Sequence, residues 1–125
     1  MVTDDEIRLS LPAVPDFARL ARLTIAGLAN RVGFSYDEVE DLRIAVGEAC
    51  SMLIGPEGRD GSLDLVYGLH ADGLTVEAQG RFLDGVIIDA DTALLSEQIL
   101  LAVVDEFSFE PDLMRVRFRK HRADD

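Results

Sequence analysis

The sequence predicts an α/β fold, more narrowly an α+β two-layer sandwich in which three helices cover one face of a mixed sheet of about five strands. Two observations carry this prediction. Some segments alternate apolar and polar residues with a period of two, whereas others place apolar residues at steps of three and four. The segments follow one another as strand, helix, helix, hairpin, helix and hairpin, so one sheet face should be packed and the other solvated.

The chain begins with a predicted strand and helix. Residues 7–11 alternate between apolar and polar, which is typical of a half-buried strand, and Pro12 ends it. Pro15 suits the first turn of a helix, and Gly33 suits the residue just after its end. Between them, the residues that recur at helical spacing are Phe17, Leu20, Ala21, Thr24, Leu28 and Val32.

A second helix is predicted to begin at Ser35, because Ser35 and Glu38 have the spacing of a capping box. Its core stripe consists of Val39, Leu42, Val46, Ala49 and Leu53. Glu48 lies off this stripe, one helical turn from Ala45 and from Met52. Two interpretations of Glu48 stay open: an acid on the solvated side of the helix, or a carboxylate that faces a cleft.

The middle of the chain is predicted as a loop and a hairpin. Residues 55–61 are turn formers with almost no side chain to bury. Inward apolar positions then alternate over 63–69 and over 74–78, which predicts two antiparallel strands. The segment 80–91 has a poor pattern and stays unassigned, and 86–88 fits either a short strand or the inside of a folded loop.

The last third is predicted as a helix and a closing hairpin. Residues 93–106 are apolar almost throughout, which indicates a helix buried on much of its circumference, capped by Asp91 or Thr92. Residues 107–118 read as two strands around a Pro-Asp turn. Residues 121–125 are predicted to be a loose tail.

Composition narrows the class of function. A chain of 125 residues is long enough for one core, so 1–125 should form a single domain. A formal charge of −12 argues against nucleic-acid binding and favours a basic protein partner. The acidic start and the lack of an apolar run of roughly 20 residues predict a cytoplasmic protein with no membrane contact. Cys50 is the only cysteine, which excludes an internal disulfide and fits a buried thiol.

The outer sheet face is predicted to carry three arginines on the last strand, at 115, 117 and 119. They would lie beside Asp64, Glu77 and Gln79 on the other strands. Opposite charges there could pair across strands. No stacking aromatic residues are interleaved with the arginines, so a solvated face is favoured over a nucleic-acid surface.

Conventional catalytic motifs are absent, but one stretch resembles a known family. The sequence lacks a convincing metal cage, a Cys–His dyad and a Gly-Lys phosphate loop. Residues 41–51, DLRIAVGEACS, resemble the N box of the anti-sigma-factor serine kinases. In the same order, 74–80 is similar to the strand ending in their adenine-binding loop, 103–107 to the end of their third helix and 114–119 to their last strand. The resemblance covers about 7–119 and implies the Bergerat, or GHKL, ATPase fold.

The resemblance also implies roles for particular positions. Glu48 matches the likely general base, whereas Met52 stands where an Asn holds Mg²⁺. A thioether cannot replace a hard oxygen ligand. Ala78 replaces the Asp that reads the adenine amino group, and Gly80 matches the glycine of that motif. The phosphate lid would fall between Val86 and Leu100, where Ser96-Glu97-Gln98 replaces its glycines.

These departures predict a vestigial general base at Glu48, a degenerate nucleotide pocket at Met52, Ala78 and Gly80, no metal site and no cofactor. The first hypothesis is an anti-sigma factor without kinase activity, a homodimer that sequesters a sigma factor through 17–34 and can also meet an anti-anti-sigma factor. The second is an active ATP-dependent serine kinase acting on an anti-anti-sigma factor. The third is a module that binds another ligand in a cleft lined by Ala45, Met52 and Ala78.

Overall fold

The computed structural model of the protein describes residues 5–85, 88 and 90–123. Of the unassigned segment, 86, 87 and 89 lie outside the described residues, as do 1–4 and 124–125. The main elements are β1 (Asp5–Pro12), α1 (Ala18–Val32), α2 (Tyr36–Ile54), β2 (Gly61–Leu69), β3 (Gly73–Phe82), α3 (Ala90–Val103), β4 (Glu106–Glu110) and β5 (Arg115–His121). Short 3₁₀ turns at Pro15–Phe17 and Pro111–Leu113 precede α1 and β5.

The five strands form one open sheet in the order β1-β2-β3-β5-β4. Every neighbouring pair is antiparallel. The predicted number of strands and the two hairpins are confirmed, but the prediction of a mixed sheet is wrong. The helix α3 returns the chain so that β3 and β4 run the same way, and β5 lies between them, so no two parallel strands become neighbours.

Alternation along the strands places the apolar side chains on one sheet face. The inward residues include Leu63, Leu65, Tyr67, Leu74, Val76, Ala78, Val116 and Phe118, all nearly inaccessible to solvent. The three helices pack on this face, which gives the two-layer sandwich predicted from the sequence. The Tyr67 hydroxyl donates a hydrogen bond to the carbonyl of Ala21 on α1, 3.0 Å away, so the polar tip of this buried ring is satisfied.

The helix α2 lies at the centre of the helical layer and contacts α1, α3 and the sheet. Its start is the predicted capping box. The Glu38 amide donates to Ser35 Oγ at 3.2 Å, and the Ser35 amide donates to Glu38 Oε1 at 2.7 Å. All five residues of the predicted core stripe are buried. The capping box therefore fixes the point at which the helix begins, and hence which face meets the core.

The helix α3 differs from its prediction in bounds and in burial. It begins at Ala90 and ends at Val103, so the predicted span 93–106 runs three residues into the following link and strand. Ala93 and Leu100 are buried, but Leu94, Leu95 and Leu101 are exposed by 52%, 63% and 56%. Burial on much of the circumference is therefore wrong: α3 covers the sheet edge with one face only. The side chain of Thr92, one of the two predicted caps, lies outside the described residues.

The predicted loose tail is wrong for its described part. His121 is the last residue of β5. The Arg122 guanidinium donates to the carbonyl of Val32 at 2.9 Å, and the Ala123 amide donates to Glu38 Oε2 at 2.8 Å. Burial alone would raise the pKa of Glu38, but hydrogen bonds from the Ser35 and Ala123 amides outweigh it and lower the pKa. Residues 121–123 are thus held against the corner between α1 and α2.

The outer face of the sheet carries the predicted cross-strand ion pairs. Arg117 Nε lies 2.8 Å from Glu77 Oε1, and Arg115 contacts both Glu110 at 2.9 Å and Glu77 at 3.7 Å. These partners engage two of the three outward arginines of β5, so the face is a solvated network of paired charges. None of the described helices is both long enough and apolar enough to cross a lipid bilayer.

Replacing Ser35 by Ala should lower the free energy of unfolding by about 1 kcal/mol, because the amide of Glu38 loses its cap. Urea denaturation followed by circular dichroism measures the change. Ser51→Ala is the matched control, since Ser51 lies exposed on the same helix and its side chain is no cap. Equal destabilisation by the two substitutions would contradict the role of the capping box.

Cys50 should be almost inert to alkylation in the folded protein. It is fully buried, and burial raises the pKa of its thiol to about 12, although the positive charge of Arg22 acts in the opposite direction. At pH 8, a thiol with a pKa of about 12 has about 1,000-fold less reactive thiolate than a thiol with the ordinary pKa of 9.0, as in an unfolded chain. Mass spectrometry after iodoacetamide treatment, with and without denaturant, measures the ratio. Comparable labelling rates in both states would show that the thiol is accessible.

Candidate functional site

A groove of about 730 Å³ runs between the C-terminal half of α2 and the N-terminal half of α3. Glu48 and Met52 of α2 line one side, and Leu95 and Ser96 of α3 line the other. The loop after α2, residues 55–59, also lines the groove. Glu48 is half-buried on this wall. The structure therefore agrees with the interpretation that its carboxylate faces a cleft, and not with an acid on the solvated side of the helix.

Glu48 is held in place by a hydroxyl from the opposite helix. Ser96 Oγ donates a hydrogen bond to Glu48 Oε1 at 2.7 Å, and Ser96 itself is buried. A buried hydroxyl without a partner would be costly, so this bond ties α3 to α2 as well as orienting the carboxylate. From the sequence alone, Ser96 is one of three residues that stand where the resemblance places the lid glycines. No periodic signal links two residues 48 positions apart, so the pair was not foreseeable from the chain.

The four predicted site residues do not converge on one place. Glu48 and Met52 line the groove, and Met52 is 4% exposed. Ala78 is fully buried on the inner sheet face, where its register partners are Leu65 on β2 and Val116 on β5. It does not line the groove.

The cleft predicted from Ala45, Met52 and Ala78 is therefore not the groove observed. Ala45 is fully buried like Ala78, and only Met52 of the three reaches the groove wall.

The packing around position 80 gives a structural reason for a glycine there. A Cβ atom added at Gly80 would clash with the ring of Phe82, so a larger residue at this position would force the ring to move. The guanidinium of Arg59 lies over the Phe82 ring in a cation–π contact, with its Cζ 3.8 Å from the ring centroid. Side chains therefore pack in a stack beside the glycine that the resemblance assigns to an adenine-binding loop.

Arg59 anchors the loop after α2. Its Nε and Nη2 donate to the two carboxylate oxygens of Asp84 at 3.0 and 2.5 Å, and Nη1 donates to the carbonyl of Leu53 at 3.2 Å. The Arg59 side chain is only 9% exposed, so the prediction that 55–61 has almost no side chain to bury is wrong. A bidentate pair of this kind is directional as well as strong. Arg59 was missed because a lone arginine in a glycine-rich loop gives no periodic signal.

The charges that line the groove are mostly negative. Glu48, Glu57 and Asp91 come from α2, the following loop and α3, and no lysine or arginine within the described ranges forms an ion pair with them. Arg59, the one cation lining the groove among the described residues, is engaged by Asp84. The groove is thus an apolar cleft with an acidic rim.

The resemblance implies that a magnesium nucleotide takes a hard oxygen ligand at the position of Met52 and a polar partner for its adenine amino group at the position of Ala78. A thioether and a methyl group supply neither. Across residues 5–85, 88 and 90–123 no three or more histidine, cysteine, aspartate or glutamate side chains are grouped so as to hold a metal ion. The chemistry of these side chains does not fit that ligand.

The fold and the groove define a class: an α+β two-layer sandwich with an open antiparallel sheet and a cleft between its second and third helices. Comparison with known proteins narrows this class. The chain is 38% identical over 76 residues to the serine-protein kinase RsbW of Bacillus cereus strain B4264, a match that spans 59% of this chain and 48% of that protein. The resemblance to the anti-sigma-factor serine kinases is thereby confirmed.

Two further relatives agree. The RsbW serine-protein kinases of Bacillus cereus strain ATCC 10987 and Bacillus mycoides strain KBAB4 are each 38% identical over 74 residues, which is 58% of this chain and 46% of each relative. No family model matches the chain. The chain spans about half the length of the curated relatives it matches.

Replacing Arg59 by Ala should lower the free energy of unfolding by roughly 2 kcal/mol, because Asp84 loses a bidentate partner in a partly buried site. Thermal or urea denaturation measures the change. Arg8→Ala is the control, since its pair with Glu6 is exposed and should change stability by less than about 0.5 kcal/mol. A small effect at Arg59, equal to that at Arg8, would show that the stack does not anchor the loop.

Proposed function

We propose that this protein is an anti-sigma factor that works without nucleotide: it binds and sequesters a sigma subunit of RNA polymerase and has no kinase activity. The observation that carries this proposal is Met52. It stands one helical turn beyond Glu48, at the position where the resemblance requires an amide to hold Mg²⁺. Phosphoryl transfer depends on charge neutralisation by metal and on positioning, so losing the metal ligand removes the basis for catalysis.

The surface of α1 supports a protein partner. Phe17, Leu20 and Leu23 are exposed by 39%, 45% and 57%. Leu20, Leu23 and Gly27 follow one helical face, and a Cβ added at Gly27 would meet nothing within 4 Å. Exposed apolar surface of this kind marks interaction sites. This face lies inside 17–34, the region that the resemblance implies for contact with a sigma factor.

Charge supports the same class of partner. The chain carries a formal charge of −12, and sigma factors present basic faces that contact DNA. Opposite net charges accelerate association and make it sensitive to salt. The proposal includes a homodimer, an anti-anti-sigma factor as a second partner and a cytoplasmic location, in keeping with the family that the resemblance implies.

A second candidate function is an ATP-dependent serine kinase that phosphorylates an anti-anti-sigma factor. Two observations favour it. The relatives that match this chain are named serine-protein kinases, and Glu48 is present at the position of the likely general base. The two candidates make opposite predictions about Mg-ATP, so a binding measurement separates them.

The sigma-factor partner is tested with substitutions on two exposed leucines. Leu23→Asp should weaken binding to the cognate sigma factor by at least tenfold, because it places an acid in the proposed apolar contact. Leu101→Asp on α3 is matched in residue type and exposure and should leave binding unchanged. Calorimetric titration against each purified sigma factor of the host measures both. If the unmodified protein binds none of these sigma factors, the proposal is refuted.

The absence of nucleotide binding is tested by the melting temperature. A ligand present at 100 times its dissociation constant would stabilise the fold by about 2.7 kcal/mol, a shift of several degrees. We expect no shift with 5 mM Mg-ATP, a concentration we choose as about 100 times a 50 μM dissociation constant. Of Met52 and Ala78, only Met52 lines the groove, so the variant Met52→Asn tests whether the metal ligand alone suffices to restore binding. A clear rise for the unmodified protein would favour the kinase.

A further inference from the structure

We propose that the groove between α2 and α3 binds a small organic cation, an amine or a guanidine with an apolar body. This inference goes beyond the proposed function. It concerns a different surface from the α1 face, and it holds or fails whether or not a sigma factor binds there. Two independent properties of the groove carry it: the apolar character of its walls and the sign of the charges at its rim.

The walls suit an apolar body. Met52 and Ile54 come from α2, Pro56 from the following loop and Leu95 from α3. Leu95 is 63% exposed, so a ligand in the groove would cover apolar surface that the fold leaves in water. The volume of about 730 Å³ lies within the range of pockets that hold small molecules, roughly 300–1,000 Å³.

The rim suits a cation. Glu48, Glu57 and Asp91 line the groove, and the described residues place no basic side chain within ion-pair distance of any of them. Ser96 satisfies Glu48 Oε1, and Oε2 accepts no hydrogen bond from the described residues. An ammonium or guanidinium group could therefore donate to Oε2 without displacing an existing bond. An anion at the same place would be repelled by three carboxylates.

The same features argue against two simpler ligands. A bare metal ion needs several oxygen ligands gathered around one point, and the described carboxylates form no such group. A nucleotide would bring its phosphates to an acidic rim whose arginine, Arg59, is already engaged by Asp84. An apolar cation uses both the wall and the rim, because its body covers Leu95 while its charge meets Glu48.

The test uses two probes that differ in the sign of their charge. 3-Phenylpropylamine is a cation at neutral pH, and 4-phenylbutyrate is an anion with the same phenylpropyl body. Each is titrated into the ¹⁵N-labelled protein and followed by ¹H–¹⁵N correlation spectra. We expect the amine to shift the amides of Ser51, Gly55, Gly58 and Ser96 saturably, with at least tenfold higher affinity than the carboxylate.

Substitutions in and outside the groove test where the amine binds. Glu48→Gln should weaken amine binding by at least fivefold, whereas Asp37→Asn, the same change of charge on the exposed first turn of α2, should leave it unchanged. Leu95→Lys adds a cation to an exposed position on the wall and should abolish amine binding. Because Leu95 is on the surface, this variant keeps the test valid if Glu48→Gln fails to fold.

Several outcomes would overturn the inference. Equal binding of the two probes, binding of neither, or shifts confined to α1 or to the outer sheet face would each do so. Saturable shifts of the groove amides by Mg-ATP would assign the groove to a nucleotide instead. An acetylated Ala-Arg-Leu peptide that binds more tightly than the amine would assign it to a side chain of a protein partner, which also contradicts a small-molecule site. None of these results depends on the sigma-factor titration.

Discussion

The packing of α2 against the inner face of the sheet is the constraint on which the rest of this structure depends. Its stripe of small and branched apolar residues fills the space above β3 and β5, and α1 and α3 lie on either side of it. The capping box at Ser35 and Glu38 sets the first turn, and each later position follows from the helical period. Glu48 and Met52 reach the groove because that starting point is fixed.

Much of the fold could be predicted because its signals are local. The alternation in the strands, the capping box and the turn residues each act within a few positions of the chain, and all of them agree with the observed elements. The strand order was not accessible in this way. Whether β5 pairs with β3 or lies at the sheet edge depends on contacts between distant segments, so the expectation of a mixed sheet was wrong. The exposed leucines of α3 have the same origin, since an apolar sequence does not reveal how many faces the fold will cover.

In the candidate site too, local features could be predicted from the sequence, whereas contacts between distant segments could not. Position along α2 was enough to place Glu48 and Met52, because a helix converts spacing into direction. The partners that define the groove come from elsewhere: Ser96 from α3, and Arg59 and Asp84 from loops that flank the sheet. Loop conformation follows from such individual contacts, and no repeating pattern encodes them. The resemblance assigns Gly80 to an adenine-binding loop, but it could not reveal that in this chain the missing side chain makes room for Phe82.

The two hydrogen bonds made after β5 join distant parts of the chain. The Arg122 side chain donates a hydrogen bond to a carbonyl at the end of α1. The amide of Ala123 donates to the second oxygen of the carboxylate that caps α2. Opening the C-terminal end of β5 would therefore release the helical corner as well, which couples the end of an inner strand to the junction of the first two helices. Hydrogen exchange would register these segments as one cooperative unit, although nearly 90 residues of chain separate them.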